Sequence, residues 1–307
     1  MKVLVTGANG FVGRHLIGAL FAGGHEVIGT DTSGDGMPAG VRAVIGDLGD
    51  AMLRREAIAG GCDAVVHLAT VPGGAAEADP AASRRINIDA MYDLIEEAGA
   101  ARPGVRFVYA SSIAVYGDPL PPAGVDDTTP LSPRMIYGGH KAMMESAVAM
   151  LSNRGVIDGV SLRLSGILAR PKGPSGMKSA FMSNLFHALA GNEAFVCPVS
   201  REATIWAQSV ERCVANLIHA LRCDTGLLPS VRAVTLPALR ISMGDLASEI
   251  ASQCGVSTAL VSYDPDAALE AAFGAHPPLV TPAAERAGFA GDANLGTLVT
   301  SALKTLS

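Results

Sequence analysis

Tyr137 and Lys141 stand four residues apart in the stretch "MIYGGHKAMME", so on a helix they share one face. A free phenol has a pKa of about 10 and is a poor base at neutral pH. A lysine ammonium one turn away stabilises the phenolate, and a bound oxidised nicotinamide adds positive charge nearby. A tyrosine tuned in this way takes a proton from a substrate alcohol while hydride leaves the adjacent carbon. Such chemistry needs a hydroxyl to hold the alcohol oxygen, and the run "YASSIAVYGD" supplies Ser111 and Ser112. In isolation a Tyr-x-x-x-Lys pair is an ordinary solvated helix decoration, so its surroundings decide its meaning.

Those surroundings are a regular alternation. "KVLVTG", "HEVIGTD", "RAVIGDL", "DAVVHLA" and "VRFVYASS" are short, apolar and rich in β-branched residues, as strands are. "GFVGRHLIGALFAGG", "DAMLRREAIAG" and "PAASRRINIDAMYDLIEEAGAA" carry the helical period between them. Strands alternating with helices imply βαβ units, and strands apolar throughout imply a sheet covered on both faces. The expected fold is α/β: a Rossmann-type doubly wound parallel sheet over residues 1–165. Residues 166–307, opening on the Pro/Gly-rich "ARPKGPSGMK", read as a smaller mixed α/β region that covers the substrate. Segments near 203–222 are expected to return to the first domain. Ser111 and Ser112 fall at a strand C-terminus, where ligands meet open α/β sheets.

The first strand-to-helix turn is "TGANGFVG". Gly7 permits the tight turn, Gly10 lets backbone N–H groups approach a pyrophosphate, and Gly13 lets helix and strand pack closely. Asp31 ends the second strand, where a carboxylate hydrogen-bonds the adenosine ribose and repels a 2′-phosphate. That favours NAD over NADP, with Arg14 as the opposing charge.

Composition narrows the class. Apolar residues make up 49% of the 307 and charged ones 17%, which is a globular rather than a disordered balance. A net charge of −6 without a Lys/Arg run excludes a general nucleic-acid surface. Gly, Pro or charge interrupts each apolar stretch before it spans a bilayer, and the N-terminus reads as strand and turn rather than a targeting segment. Cys62, Cys197, Cys213, Cys223 and Cys254 are scattered and odd in number, which fits reduced thiols in the cytoplasm. No histidine cluster has metal-ligand spacing; His67 reads as structural, and His140 points off the Tyr-Lys face. Trp206 reads as core, and the methionines at 143, 144 and 150 as one apolar stripe.

Taken in order, "TGANGFVG", "GDL", "VVHLA", "INIDAMYDLI", "SSIAVYGD" and "YGGHK" resemble the extended short-chain dehydrogenase/reductases. The resemblance implies a catalytic set of Ser112, Tyr137 and Lys141, with Lys141 also on the nicotinamide ribose. It implies that NAD is held by Gly7, Asn9, Gly10, Phe11, Val12, Gly13 and Asp31, with Asp47 and Leu48 by the adenine. Leu68, Ala69, Ser111 and Leu164 would line the cofactor path, and Asn87 would position a strand or a water. A homodimer is the family's common state.

Ile113 and Ala114 stand where the dehydratases of this family carry an Asp-Glu pair, so water elimination lacks its acid and base. "LRLSG" and "REATIWAQSV" also depart from the sugar-nucleotide epimerase patterns. The later stretches instead resemble the members that oxidise short sugar acids of the erythronate type at the 2-hydroxyl. Pro72-Gly73 and Ser165-Gly166 depart from that group too. A small acid needs a cation, best an Arg fork, and Arg170 follows the apolar strand "VSLRLSGILA" directly. Thr70, Gly73, Ser112, Ser165, Arg170 and Lys172 are the expected substrate contacts, with Lys178 and Arg201 as further candidate anchors. A sugar or sugar-nucleotide epimerase, a uronate dehydrogenase and a non-catalytic NAD sensor are the other readings.

Overall fold

Val3 and Val5 are fully buried on one side of their strand and Leu4 on the other, so a single short β-run feeds two separate cores. This computed structural model describes residues 1–117, 119–173 and 178–306. The chain runs β1 (Lys2–Thr6), α1 (Phe11–Ala22), β2 (Glu26–Asp31), β3 (Arg42–Ile45), α2 (Ala51–Ile58) and β4 (Ala64–His67). It continues through α3 (Gly73–Ala78), α4 (Pro80–Arg84), α5 (Met91–Ala101), β5 (Val105–Ser112), α6 (Ile136–Asn153) and β6 (Ile157–Leu164). Next come β7 (Gly166–Ile167), α7 (Phe181–Ala190), β8 (Phe195–Cys197), β9 (Thr204–Gln208), α8 (Val210–Ala220) and β10 (Ala233–Thr235). The last elements are β11 (Leu239–Ser242), α9 (Met243–Cys254), β12 (Val261–Tyr263), α10 (Ala267–Phe273), α11 (Pro282–Arg286) and α12 (Leu295–Lys304).

Seven strands form one parallel sheet in the order β10-β6-β5-β4-β1-β2-β3. This is the doubly wound arrangement expected from the alternation of strand and helix. On one face α1 and α8 pack over Val3, Val5, Val108 and Val160; on the other α2, α5 and α6 cover Leu4, Val65, Phe107 and Ile157. A smaller sheet, β11-β9-β7, backs onto a third core built from α7, α9 and α12.

The chain crosses between these layers more than once. β9 belongs to the small sheet, α8 packs on α1, and β10 pairs in parallel with β6 at the edge of the large sheet. Ala283 and Ala284 of α11 join the same core as Val234 of β10. The stretch read as one helix over 80–101 has a π-helical segment, Arg85–Ala90, between α4 and α5. The wider turn carries buried Asn87, whose Oδ1 accepts from Val71 N–H and the Thr70 hydroxyl while Nδ2 donates to Val71 O and Ser83 Oγ. A π turn at such a clamp is typical of functional segments. The methionines do not form one stripe: Met144 is buried, while Met143 and Met150 are exposed. Among the described residues no helix is long and apolar enough to cross a membrane.

Candidate active site

α6 begins with a Met135 that offers no side-chain cap; Glu77 of α3 supplies one by accepting the Ile136 N–H at 2.7 Å. Two residues on, Gly138 lets the helix press onto the turn that follows β5. A Cβ there would lie 2.4 Å from Ala114 O. That close approach brings Tyr137 to Ser112. The Ser112 hydroxyl accepts from Ala114 N–H and so fixes the turn Ile113–Tyr116.

Lys141 is 2% exposed. Its Nζ donates to Ala110 O at 2.6 Å and lies 4.7 Å from the Tyr109 ring centre and 5.5 Å from that of Tyr137. Burial brings its pKa down to about 7, against the pull of Glu145. Burial also raises the Tyr137 pKa, opposed by the Ser112 hydroxyl and then by the Arg170 guanidinium. The sequence suggested that Lys141 would pull the phenol down. In the chain alone burial outweighs that pull, and the cation that acts against it on the phenol is Arg170.

Behind the pair lies a closed polar network. Glu145, 4% exposed, accepts from Ser111 Oγ at 2.5 Å and from Arg163 Nη2 at 2.7 Å and Nε at 3.0 Å. Arg163 Nη1 donates to the Tyr116 hydroxyl at 2.9 Å, which lies 2.5 Å from Thr235 Oγ1 on β10. The Ser111 hydroxyl thus faces inward. Glu145 and Arg163 were not singled out in the sequence, although Glu145 follows Lys141 by one helical turn.

Arg170 approaches from the other side. Ala169 before it adopts φ +56°, a left-handed conformation costing about 1–2 kcal/mol for a residue with a Cβ. The turn folds Arg170 back so that Nε donates to Ile167 O, and its charge acts on Tyr137 and Cys213. Trp206 is 1% exposed, as expected of core; it packs with Val115 and Tyr116 and donates Nε1–H to Pro277 O. Side chains alternate along β9, so Gln208 shares the Trp206 face, turned toward the Ser112 turn, while Ile205 and Ala207 face the third core. Gln208 is fully buried, yet among the described residues neither its Nε2 nor its Oε1 has a partner, and the buried Ser165 hydroxyl also has none. Nothing in the sequence pattern marked Gln208. Lys172 is exposed, and the side chain of Lys178 lies outside the described residues. Arg201 packs against Gly244 at the start of α9. Gly73 opens α3 beside Met135, and His140 pairs with Ser83.

The first strand-to-helix turn has the shape a dinucleotide needs. Gly7 has φ +68°, and a Cβ on it would lie 2.7 Å from Ala69 N, so backbone from β1 and β4 meets there without side chains. Gly10 precedes α1 without a side-chain cap, leaving the N–H groups of Phe11, Val12 and Gly13 at an open helix N-terminus. Asp31 Oδ2 accepts from Asn9 N–H, and Arg14 is spent on Asn9 and on Asp35 O. Asp47 is bound by both Arg85 nitrogens and by Gly49 N–H, which hold its carboxyl below the usual range. Leu48 is buried beside it; Leu68 and Ala69 follow β4, and Leu164 ends β6.

Residues 3–207 match the model of the NAD dependent epimerase/dehydratase family. The chain belongs to that family. It is an enzyme, an NAD-dependent oxidoreductase by class, and NAD is its cofactor. Within the family it is similar to the D-erythronate dehydrogenase of Cupriavidus necator, at 34% identity over 97% of each chain. It is also similar to that of Haemophilus influenzae, at 33% over 81% of each. Among solved structures it resembles the nucleoside-diphosphate-sugar epimerase from Agrobacterium tumefaciens, with a TM-score of 0.87 and 27% identity over 97% of this chain and 92% of the other.

Proposed function

We propose that this family member oxidises a secondary alcohol of a short sugar acid, of the D-erythronate type, at the 2-hydroxyl to give the 2-oxo acid. The observation that carries the reading is that Ser112, Lys141 and Arg170 all act on the one phenol of Tyr137, in a chain most of whose length is matched by D-erythronate dehydrogenases. NAD, when bound, accepts the hydride. The chain's residues do the rest. Ser112 holds the substrate oxygen, Tyr137 takes its proton as the carbon–hydrogen bond breaks, and Lys141 supplies positive charge to the phenolate. Arg170 grips the carboxylate. Gln208 and Ser165 offer donors and an acceptor to the substrate hydroxyls, which relieves the cost of leaving them unpaired. Gly7, Asn9, Gly10, Phe11, Val12 and Gly13 receive the pyrophosphate, Asp31 the ribose, and Leu48, Leu68, Ala69 and Leu164 the flanks of the cofactor. Thr70 and Asn87 fix the loop above it. Exposed Met143 and Met150, seven residues apart on one face of α6, are where a second copy would pack.

The test is formation of NADH from NAD in a panel of aldonic acids, uronic acids and neutral polyols of matched length. Turnover should be highest with a four-carbon aldonate and should yield a 2-oxo acid. Equal turnover of polyols, or interconversion of stereoisomers without net NADH, replaces this reading.

A further inference from the structure

Lys141 and Glu145 lie one turn apart on α6 and face the same interior. Adjacent residues of β5 hold them: Ala110 O accepts from Lys141, and the Ser111 hydroxyl donates to Glu145. Arg163, in register with Ser111 across β5 and β6, grips Glu145 from behind. Among the described residues this helix and strand pair thus bring two buried cations, Lys141 and Arg163, to one buried carboxylate, Glu145, which is paired with Arg163. Tyr109 on β5 and His67 on β4 also face Lys141; burial and the lysine charge bring His67 down to about 3, so it adds no counter-charge. His140 looks away toward Ser83, with Asp89 acting on it rather than on Lys141. Among the described residues Glu145 is the carboxylate that acts on the lysine.

We propose that Glu145 is the positioning counter-ion of Lys141, clamped by Arg163 and Ser111 so that its carboxylate keeps the ammonium charged beside Tyr137 during turnover. The charge count explains why a carboxylate is needed. If Glu145 were neutral, two cations would share a buried site without an anion, and arginine does not give up its proton. Lys141 would give up its own, and the phenolate would lose its support. Arg163 limits the pull on Lys141 by taking Glu145 bidentately, and through Tyr116 the same guanidinium steadies the turn after Ser112.

The inference rests on Tyr137 and Lys141 being the catalytic pair. The experiment is the pH profile of kcat/KM for wild type, Glu145→Gln, Glu145→Asp and Tyr137→Phe at saturating NAD. Removing the carboxylate destabilises the lysine cation, so its pKa falls. In Glu145→Gln the alkaline limb should therefore appear, or move, about one pH unit lower, a tenfold change in the lysine equilibrium. Glu145→Asp keeps the charge and should restore the limb toward its wild-type position. Should Glu145→Gln fail to fold, the double variant Glu145→Met/Arg163→Met exchanges the buried pair for apolar volume, which such sites tolerate, and its limb should also fall. A variant profile of wild-type shape, at whatever height, overturns the proposal and makes the pair a structural brace. An active Tyr137→Phe would instead overturn the catalytic assignment beneath it.

Discussion

Around Lys141 the chain supplies its own partners, whereas the β7–β9 face that carries Gln208 leaves buried polar atoms without any. From Ala110 and Ser111 through Glu145, Arg163 and Tyr116 to Thr235, each polar side chain meets another within 3.3 Å. Among the described residues the Gln208 amide and the Ser165 hydroxyl meet none, although an unpaired buried polar group costs about 1–3 kcal/mol. The difference separates two tasks. Groups that must hold one geometry through every turnover are braced by the protein. On the function proposed above, Gln208 and Ser165 would carry their cost until a substrate supplies the bonds.

Three substitutions press on that contrast. The largest effect is expected at the braced end: Tyr137→Phe should lower turnover about 10²-fold or more while leaving NAD affinity, measured by titration, nearly unchanged. Near-normal turnover would remove the base from the site. Arg170→Ala comes next. Loss of a buried charge-assisted pair costs about 2–5 kcal/mol, so the KM for the best acid should rise at least roughly tenfold. A neutral polyol should be unaffected, and equal damage to acid and polyol would make Arg170 a packing residue. Gln208→Met is the smallest and the sharpest. It removes two unpaired polar atoms, so the melting temperature should rise by a few degrees. The KM for the acid should nonetheless rise a few-fold, because a hydroxyl contact worth about 1 kcal/mol is lost. A variant that is stabler and equally active would show that Gln208 recognises nothing.

Short-range pattern accounts for what the sequence revealed. "TGANGFVG" and the Tyr137–Lys141 spacing each fit within a few residues of chain, and the parallel sheet follows from apolar runs alternating with helices. Glu145 was one helical turn from Lys141, but its importance depends on Arg163, eighteen residues further along and on a strand. Gln208 is visible only once β9 is paired with β7 and alternation assigns its face. The π segment escaped for a related reason: "RRINIDAMYDLI" keeps the helical apolar period, and the extra residue in the turn answers to Val71 and Ser83, which no local periodicity encodes. The lowered Lys141 pKa is likewise a consequence of burial, which spacing does not report.

One edge strand of the large sheet, β10, is drawn from residues 233–235, and the core behind it is finished only by α11 at 282–286. A chain emerging from the ribosome completes β1 to β6 well before either segment exists. During that interval β6 presents an open row of N–H and carbonyl groups, the kind of edge on which strands from other molecules add. The Tyr116 hydroxyl, already reached by Arg163, waits with it for Thr235, which arrives with β10. A chain truncated before residue 233 should therefore keep that β6 edge unpaired and be more prone to aggregate than the full chain.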